Sequence, residues 1–419
     1  MKRLVKVVFT SLLLFSFNYE AKAQDSFFTV SGIIRDDLTR KPLEYVTITL
    51  FGYNTGTVSN SDGEFTLKIP NAAVDATFVE FSHLGYKSFL LPVKGESIVG
   101  AEILMTQFVA VLSEVLVHGF DAFYIVQEAV SKIPRNYCDT PSQMTGFYRE
   151  TVQKRRNYIS ISEAVVDLYK TQYTEFSDLD RLQILKGRRL LSQKTSDTLA
   201  VKLVGGPNLA IFVDIVKNTD LLLDADMLSD YSYKMEEITQ INGRDQYVIT
   251  FLPKVVKPHP LYVGTFYIDK SSLAFTRAEF QTDMSDRNKV AEMILKKRPL
   301  GLRFRPEKVS YVISYQERGG VNYLSYISNA LHFRCDWRRR FFSTNYEVVS
   351  EMVVTDVNVQ NIVAFPRRDA FRQTQILTDR VIDFYDEDFW GAYNIIEPTE
   401  SLETAVARLK RQQSVNSGY

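Results

Sequence analysis

A mainly β protein is expected, with a β-sandwich of the seven-stranded type at its head and a large curved antiparallel sheet behind it. Three observations predict this. Short apolar–polar alternations separated by turn residues fill Thr29 to Tyr86. Much longer strand-like runs, rich in β-branched and aromatic residues, occupy Ser142 to about Val363. Helical spacing is confined to a few short stretches.

In the head, Val46, Ile48 and Leu50 alternate with Thr47 and Thr49, and Phe65, Leu67 and Ile69 alternate with Thr66 and Lys68. Period two marks half-buried strands. Asn60-Ser61-Asp62-Gly63 lies between the runs and reads as a hairpin turn, because Gly takes φ > 0 without strain. Pro42 stands just ahead of the second strand, where its missing N–H costs no ladder bond. Val79 and Phe81 continue the alternation, Leu84-Gly85-Tyr86 turns the chain, and Ile103-Leu104-Met105 closes the unit.

The residues Val30-x-Gly32, Pro42-Leu43, Val46-x-Ile48-x-Leu50, Asp62-Gly63-x-Phe65, Ile69-Pro70 and Gly85-Tyr86 resemble the carboxypeptidase regulatory-like domain, a transthyretin-like sandwich. The resemblance spans Phe27 to about Gln107. It implies an accessory module without peptidase chemistry, of a kind often found at the periplasmic end of outer-membrane transporters.

Residues 1–23 read as a signal peptide. Lys2, Arg3 and Lys6 precede the apolar Val7–Phe17, and Ala21-Lys22-Ala23 offers a small-x-small cleavage site, leaving Gln24 first. No Cys follows the apolar run, so a lipid anchor is not expected, and no later segment reaches spanning length. Lys plus Arg equals Asp plus Glu, 50 each. This balance and the export signal argue against nucleic acid. The basic clusters Lys154-Arg155-Arg156, Lys296-Lys297-Arg298 and Arg338-Arg339-Arg340 read as hairpin ends and solvated edges.

The expected domains are the sandwich at 24–107, a linker and helix at 108–141, the curved sheet at 142–397 with a helical insert at about 206–229, and a C-terminal helix and tail at 398–419. Leu112, Val115 and Val117 lead away from the sandwich. Asp121 caps a helix with Phe123, Val126, Val130 and Ile133 at helical spacing, ended by Pro134. Helices are expected over Asn208–Val216, Asp220–Leu228 and Glu400–Arg411, which with the Asp121 helix would cover the concave face of the sheet. Asn242-Gly243 and Gly319-Gly320 read as hairpin turns. Phe389 and Trp390 should pack onto the sheet, while Asp383, Asp386 and Asp388 read as solvated acids in preference to a Ca²⁺ loop.

The regulatory-like head, Tyr148-Arg149-Glu150 and Phe389-Trp390-Gly391-x-Tyr393-Asn394 together resemble a family of uncharacterised envelope proteins of Gram-negative bacteria. The central sheet resembles the half-barrels of periplasmic lipoprotein carriers in strand length and order.

Catalytic motifs are missing. The four histidines, His83, His118, His259 and His332, form no His-Glu-x-x-His, so a peptidase zinc site is not expected. There is no Gly-x-Ser-x-Gly elbow, P-loop or Rossmann glycine pattern. No cofactor or metal is expected. Cys138 and Cys335 are the only two cysteines; they are open to a disulfide in an oxidising compartment, or to burial as free thiols.

The resulting expectation is a non-catalytic periplasmic binding protein, peripheral to the outer membrane. Val321, Tyr323, Ile327, Leu331 and Phe333 would face an apolar or lipid-like ligand. Asn322, His332, Arg334 and Asp336 would face solvent by parity. The alternative is an assembly accessory of an outer-membrane transport system of the TonB-dependent type, with an envelope protein as partner and no small ligand. Oligomeric state is not specified by these features.

Overall fold

The computed structural model describes residues 27–73, 75, 77–109, 122–175, 177–194, 197, 201–203, 206–337, 343–372, 375–383 and 389–416. The stretch read as a signal peptide, Leu112 to His118, the expected Asp121 cap, Arg338–Arg340, Asp386 and Asp388 lie outside them.

The head contains seven strands in two sheets: β1 (Phe27–Asp36), β2 (Thr47–Leu50), β3 (Gly56–Val58), β4 (Glu64–Pro70), β5 (Phe78–Ser82), β6 (Phe89–Pro92) and β7 (Ile98–Met105). The sheet orders are β4-β1-β7 and β3-β2-β5-β6. The alternating residues point between the sheets. Val30, Ile34, Val46, Ile48, Leu50, Phe65, Leu67, Ile69, Val79 and Phe81 form a closed core of their own, with Phe65 edge-on to Phe81 at 5.2 Å.

The turn at Asn60–Gly63 is not a hairpin. It carries the chain from β3 in one sheet to β4 in the other, and β4 pairs with β1. Alternation identifies a strand but not its partner, and the short β3 escaped notice. The Asn60 side chain orders the crossing by accepting from the N–H groups of Asp62 and Glu64, both at 2.9 Å. Gly63 has φ +78°, and a Cβ there would sit 2.5 Å from the Ile34 carbonyl oxygen. Gly63→Val should therefore destabilise the sandwich by about 1–3 kcal/mol. Urea unfolding of an isolated 24–107 fragment checks this; an indifferent mutant would contradict it.

The rest of the chain builds an open sheet from β8 (Ser142–Lys154), β9 (Asn157–Lys170), β10 (Arg181–Leu191), β12 (Tyr231–Met235), β13 (Thr239–Ile241), β14 (Arg244–Pro253), β15 (Tyr262–Asp269), β16 (Phe275–Thr282), β18 (Leu302–Arg318), β19 (Val321–Trp337), β20 (Thr344–Asn358) and β21 (Ile382–Asp383). Strands β11 (Lys202–Leu203) and β17 (Leu295–Lys297) pair apart from it. Its order is β12-β14-β15-β16-β18-β19-β20-β8-β9-β10-β21, with β13 on β14. All pairs are antiparallel except β10–β21.

Helices α1 (Ala122–Ser131), α2 (Ile133–Asn136), α3 (Leu209–Phe212), α4 (Ala225–Ser229), α5 (Arg287–Ile294) and α6 (Glu400–Asn416) complete the fold. Pro134 does not end the first helix. The break falls at Lys132, and Pro134 stands in the first turn of α2, where a missing N–H is harmless. The insert is less helical than its spacing suggests, because Asp214 and Lys217 are drawn inward to ion pairs.

The sheet is covered on both faces. Helices α1 and α2, the insert and the apolar rows of the long strands share one core. On the opposite face, Phe147, Val165, Tyr326 and Val353 meet Val58 of the head and Phe389, Trp390 and Ile396 of the C-terminal stretch. Helix α6 also lies on that second face, through Leu402, Ala405 and Leu409 against Ile161 and Leu190. It was expected over the first. Its apolar stripe specifies burial but not against which face.

Candidate functional site

The apolar row of β19 lies inside. Tyr323, Ile327, Leu331 and Phe333 are buried in the main core, and Val321 packs against it. Phe333 stacks on Tyr346 at 5.3 Å and meets Phe304 at 4.9 Å. His332, Arg334 and Asp336 are partly exposed. Asn322, expected in solvent, is only 3% exposed and donates to the Asn136 carbonyl at 3.0 Å. The cause is a bulge. Ser314 pairs with Tyr326 but Tyr315 with Leu324, so one extra residue breaks the alternation, and below it Asn322, Tyr323 and Leu324 are all buried. Leu324 enters the core, and its N–H donates to the Tyr173 hydroxyl at 3.1 Å.

Sequence reasoning missed a buried charge cluster behind this row. Lys170 ends β9, Asp180 precedes β10, and Asp214 and Lys217 belong to the insert. All four side chains are 0% exposed, with Lys170 Nζ 2.8 Å from Asp214 Oδ2 and 3.5 Å from Asp180 Oδ2, and Lys217 Nζ 3.8 Å from Asp180 Oδ1. The Tyr315 hydroxyl donates to Asp214 Oδ1 at 2.7 Å. Thr171 donates its N–H and hydroxyl to Asp180 Oδ1 at 2.8 and 2.9 Å. Lys217 donates to the Thr171 carbonyl and hydroxyl at 3.1 and 2.8 Å and to the Gln172 carbonyl. Tyr137, Tyr173 and Tyr315 wall the site, with ring centroids 5.1–5.4 Å apart.

Burial pushes Lys217 down to about 8 against the pull of Asp180. Burial works the same way on Lys170, but Asp214 and Asp180 overcome it and hold its pKa above the ordinary lysine value. The ammonium of Lys217 is committed to three oxygens of the 171–172 loop, an arrangement that fastens the insert to the sheet. The one signal that could have found it is faint: Asp214 and Lys217 interrupt an apolar run, and Lys170 ends another. A buried charge demands a partner.

A second buried constellation joins head to sheet. Arg149 Nε lies 2.8 Å from Glu163 Oε1, and Arg188 Nε 2.9 Å from Glu163 Oε2. Arg149 also donates to the Ile396 and Glu397 carbonyls at 2.7 and 3.3 Å. Burial raises the pKa of Glu163, and the two guanidinium groups more than reverse it, so the carboxyl lies below its ordinary value. Trp390 stands edge-on to Phe147 at 5.3 Å. Asn394 bonds both the N–H and the carbonyl of Lys68, and Thr57 donates to the Ile395 carbonyl at 2.8 Å. Arg149 of Tyr148-Arg149-Glu150 and Phe389, Trp390 and Asn394 of the closing motif meet in this junction, whereas Tyr148 points to the opposite face, into the main core.

The disulfide is not formed: Cys138 and Cys335 are free and buried. Cys138 interacts with Tyr323. Cys335 lies about twelve positions farther along the same strand, some 30–40 Å at about 3.3 Å per residue, whereas a disulfide needs Cα atoms within about 7 Å. Among the described residues no group of three or more His, Cys, Asp and Glu is placed to hold a metal ion. A cavity of about 420 Å³ opens between β10 and the 369–382 segment, lined by Ile184, Leu185, Phe371, Val381 and Phe389. Another of about 480 Å³, more polar, lies beside the β8–β9 turn.

The head thus has the two-sheet arrangement of a transthyretin-like sandwich, joined to an open antiparallel sheet. Residues 30–117 match the family described as the CarboxypepD_reg-like domain. Among curated proteins, none matches this chain. Two solved structures are similar over the larger part of it. One is a domain from Vibrio parahaemolyticus described as an outer membrane lipoprotein-sorting protein, with 10% identity, TM-score 0.26, and coverage of 59% of this chain and 95% of the domain. The other is a DUF1329 family protein from Desulfovibrio piger, with 11% identity, TM-score 0.25, and coverage of 58% and 95%. These likenesses are too slight to carry an inference about function.

Proposed function

We propose that this chain is a non-catalytic binding protein of the cell envelope that works by docking to a protein partner, with head and sheet acting as one body. The observation that carries this is the burial of the β19 row. Ile327, Leu331 and Phe333 belong to one buried core with residues of the chain's own helices and insert, which favours a row packed by the chain itself over one held open for an apolar guest. The wired junction supports the same reading, because a head fixed to the sheet presents one composite surface. No helix among the described residues is long and apolar enough to cross a membrane.

Mass spectrometry of protein purified from its own envelope tests both parts. The denatured mass should correspond to a chain starting at Gln24, and the native mass to protein without lipid. An intact Met1 would overturn the compartment. A co-purified lipid lost on Leu185→Arg, at the mouth of the apolar cavity where Leu185 is 46% exposed, would overturn the docking reading in favour of a carrier.

A further inference from the structure

One end of the long strands collects cations from segments distant in the sequence. Leu302, the first residue of β18, pairs with Trp337, the last of β19. Cys335 pairs with Thr344 at the start of β20, and Tyr346 pairs with Lys154, the last of β8. The turn Lys154-Arg155-Arg156 and the approach Lys296-Lys297-Arg298-Pro299-Leu300 therefore lie at the same end, three strand spacings or about 15 Å apart across the sheet. Arg155, Arg156, Lys297, Arg298 and Arg303 are exposed. Lys194 and Arg408 add to them around the cavity of about 480 Å³.

Several of the nearby acids are already engaged. Asp197 pairs with Lys154 at 3.4 Å, Asp336 with Arg305 at 3.4 Å, and Glu307 with Arg334 at 2.6 Å. At the tip of this end, between Pro299 and Gly301, Leu300 is 100% exposed, and the Leu302 N–H to Pro299 carbonyl bond closes the turn beneath it. The head does not cover this region. It contacts the opposite end of the same strands, through Gln316 to Thr49 at 2.7 Å and Asn54 to the Val357 carbonyl at 2.7 Å.

We propose that this end of the sheet docks on an anionic lipid surface, with Arg155, Arg156, Lys297 and Arg298 on headgroup phosphates and Leu300 at the headgroup–acyl boundary. The charge is complementary to such a surface. A protruding leucine ringed by cations suits a partner that is anionic outside and apolar just beneath. The surface is argued from the molecule alone; only which membrane it meets rests on the envelope reading above.

The test is flotation of the full mature chain with two kinds of vesicle, phosphatidylcholine alone and phosphatidylcholine with phosphatidylglycerol. Binding is expected only to the anionic vesicles. It should fall roughly tenfold or more in the Arg155→Glu/Arg298→Glu double variant, whose sites are exposed, and should weaken sharply as salt rises from about 0.1 to about 0.5 M. Leu300→Asp should weaken it, and Leu300→Trp should retain it with a blue-shifted emission when bound. Equal binding to both vesicles, no binding, indifference to the charge reversal, or full competition by millimolar inorganic phosphate would each overturn the proposal. These outcomes do not depend on the Gln24 measurement, so failure of the export reading and failure of the surface are separately visible.

Discussion

Asp214→Ala should cost about 3–5 kcal/mol of stability, the range for removing one partner of a buried ion pair. The carboxylate is the near partner of Lys170 at 2.8 Å and accepts from the Tyr315 hydroxyl. Its loss strands an ammonium with no exposure, leaving Asp180 shared between two lysines. The insert should loosen first, since Asp214 and Lys217 hold it to the sheet. Urea denaturation of the full chain measures the loss. Replacing both partners, as Lys170→Met/Asp214→Leu, should recover much of it, because an apolar pair needs no counter-charge. A single mutant losing less than about 1 kcal/mol, or a double mutant no better than the single, would refute this account.

Arg149→Ala should have an effect of similar size, about 3–5 kcal/mol, expressed at the junction. Glu163 would keep only Arg188, and the carbonyls of Ile396 and Glu397 would lose their buried donor. The C-terminal stretch would then keep its Trp390 packing and its bonds to the head, from Asn394 to Lys68, Thr57 to Ile395 and Asn60 to Pro398, but lose its buried tie to β8. Unfolding should separate into two transitions, one for the sandwich, which has its own core, and one for the sheet. Cleavage by protease within 389–398 should become faster. Arg149→Lys should rescue only in part, since an ammonium cannot serve Glu163 and two carbonyls in fork geometry. A single unchanged transition in the alanine variant would mean that the junction is held by other contacts.

Much of the fold was legible because it is written locally. Val46, Ile48 and Leu50 are buried together because side chains of a strand alternate by construction. Long alternating runs without helical spacing were enough to foresee a large antiparallel sheet. The row of β19 from Ile327 to Phe333 faces the core for the same reason, whereas Asn322 is buried against expectation, where the bulge breaks the alternation. A bulge is one residue opposite none, and nothing in the spacing of a single strand records its partner.

The candidate site was far less legible. Asp214, Lys217, Lys170 and Asp180 looked like members of a balanced surface population until folding brought them together without solvent. Arg149 and Trp390 are separated by most of the chain, and only β8 lying under the C-terminal stretch makes them one structure. The sequence by itself determined the strand content, the sandwich at the head and the identity of the core-facing rows, because these follow from the direction of a side chain relative to its own backbone. Only the tertiary structure decided which sheet β4 joins, which face α6 covers, which elements bury the β19 row, and that the basic turns share one end. Those depend on which distant residues become neighbours, and a chain's local period carries no information about that.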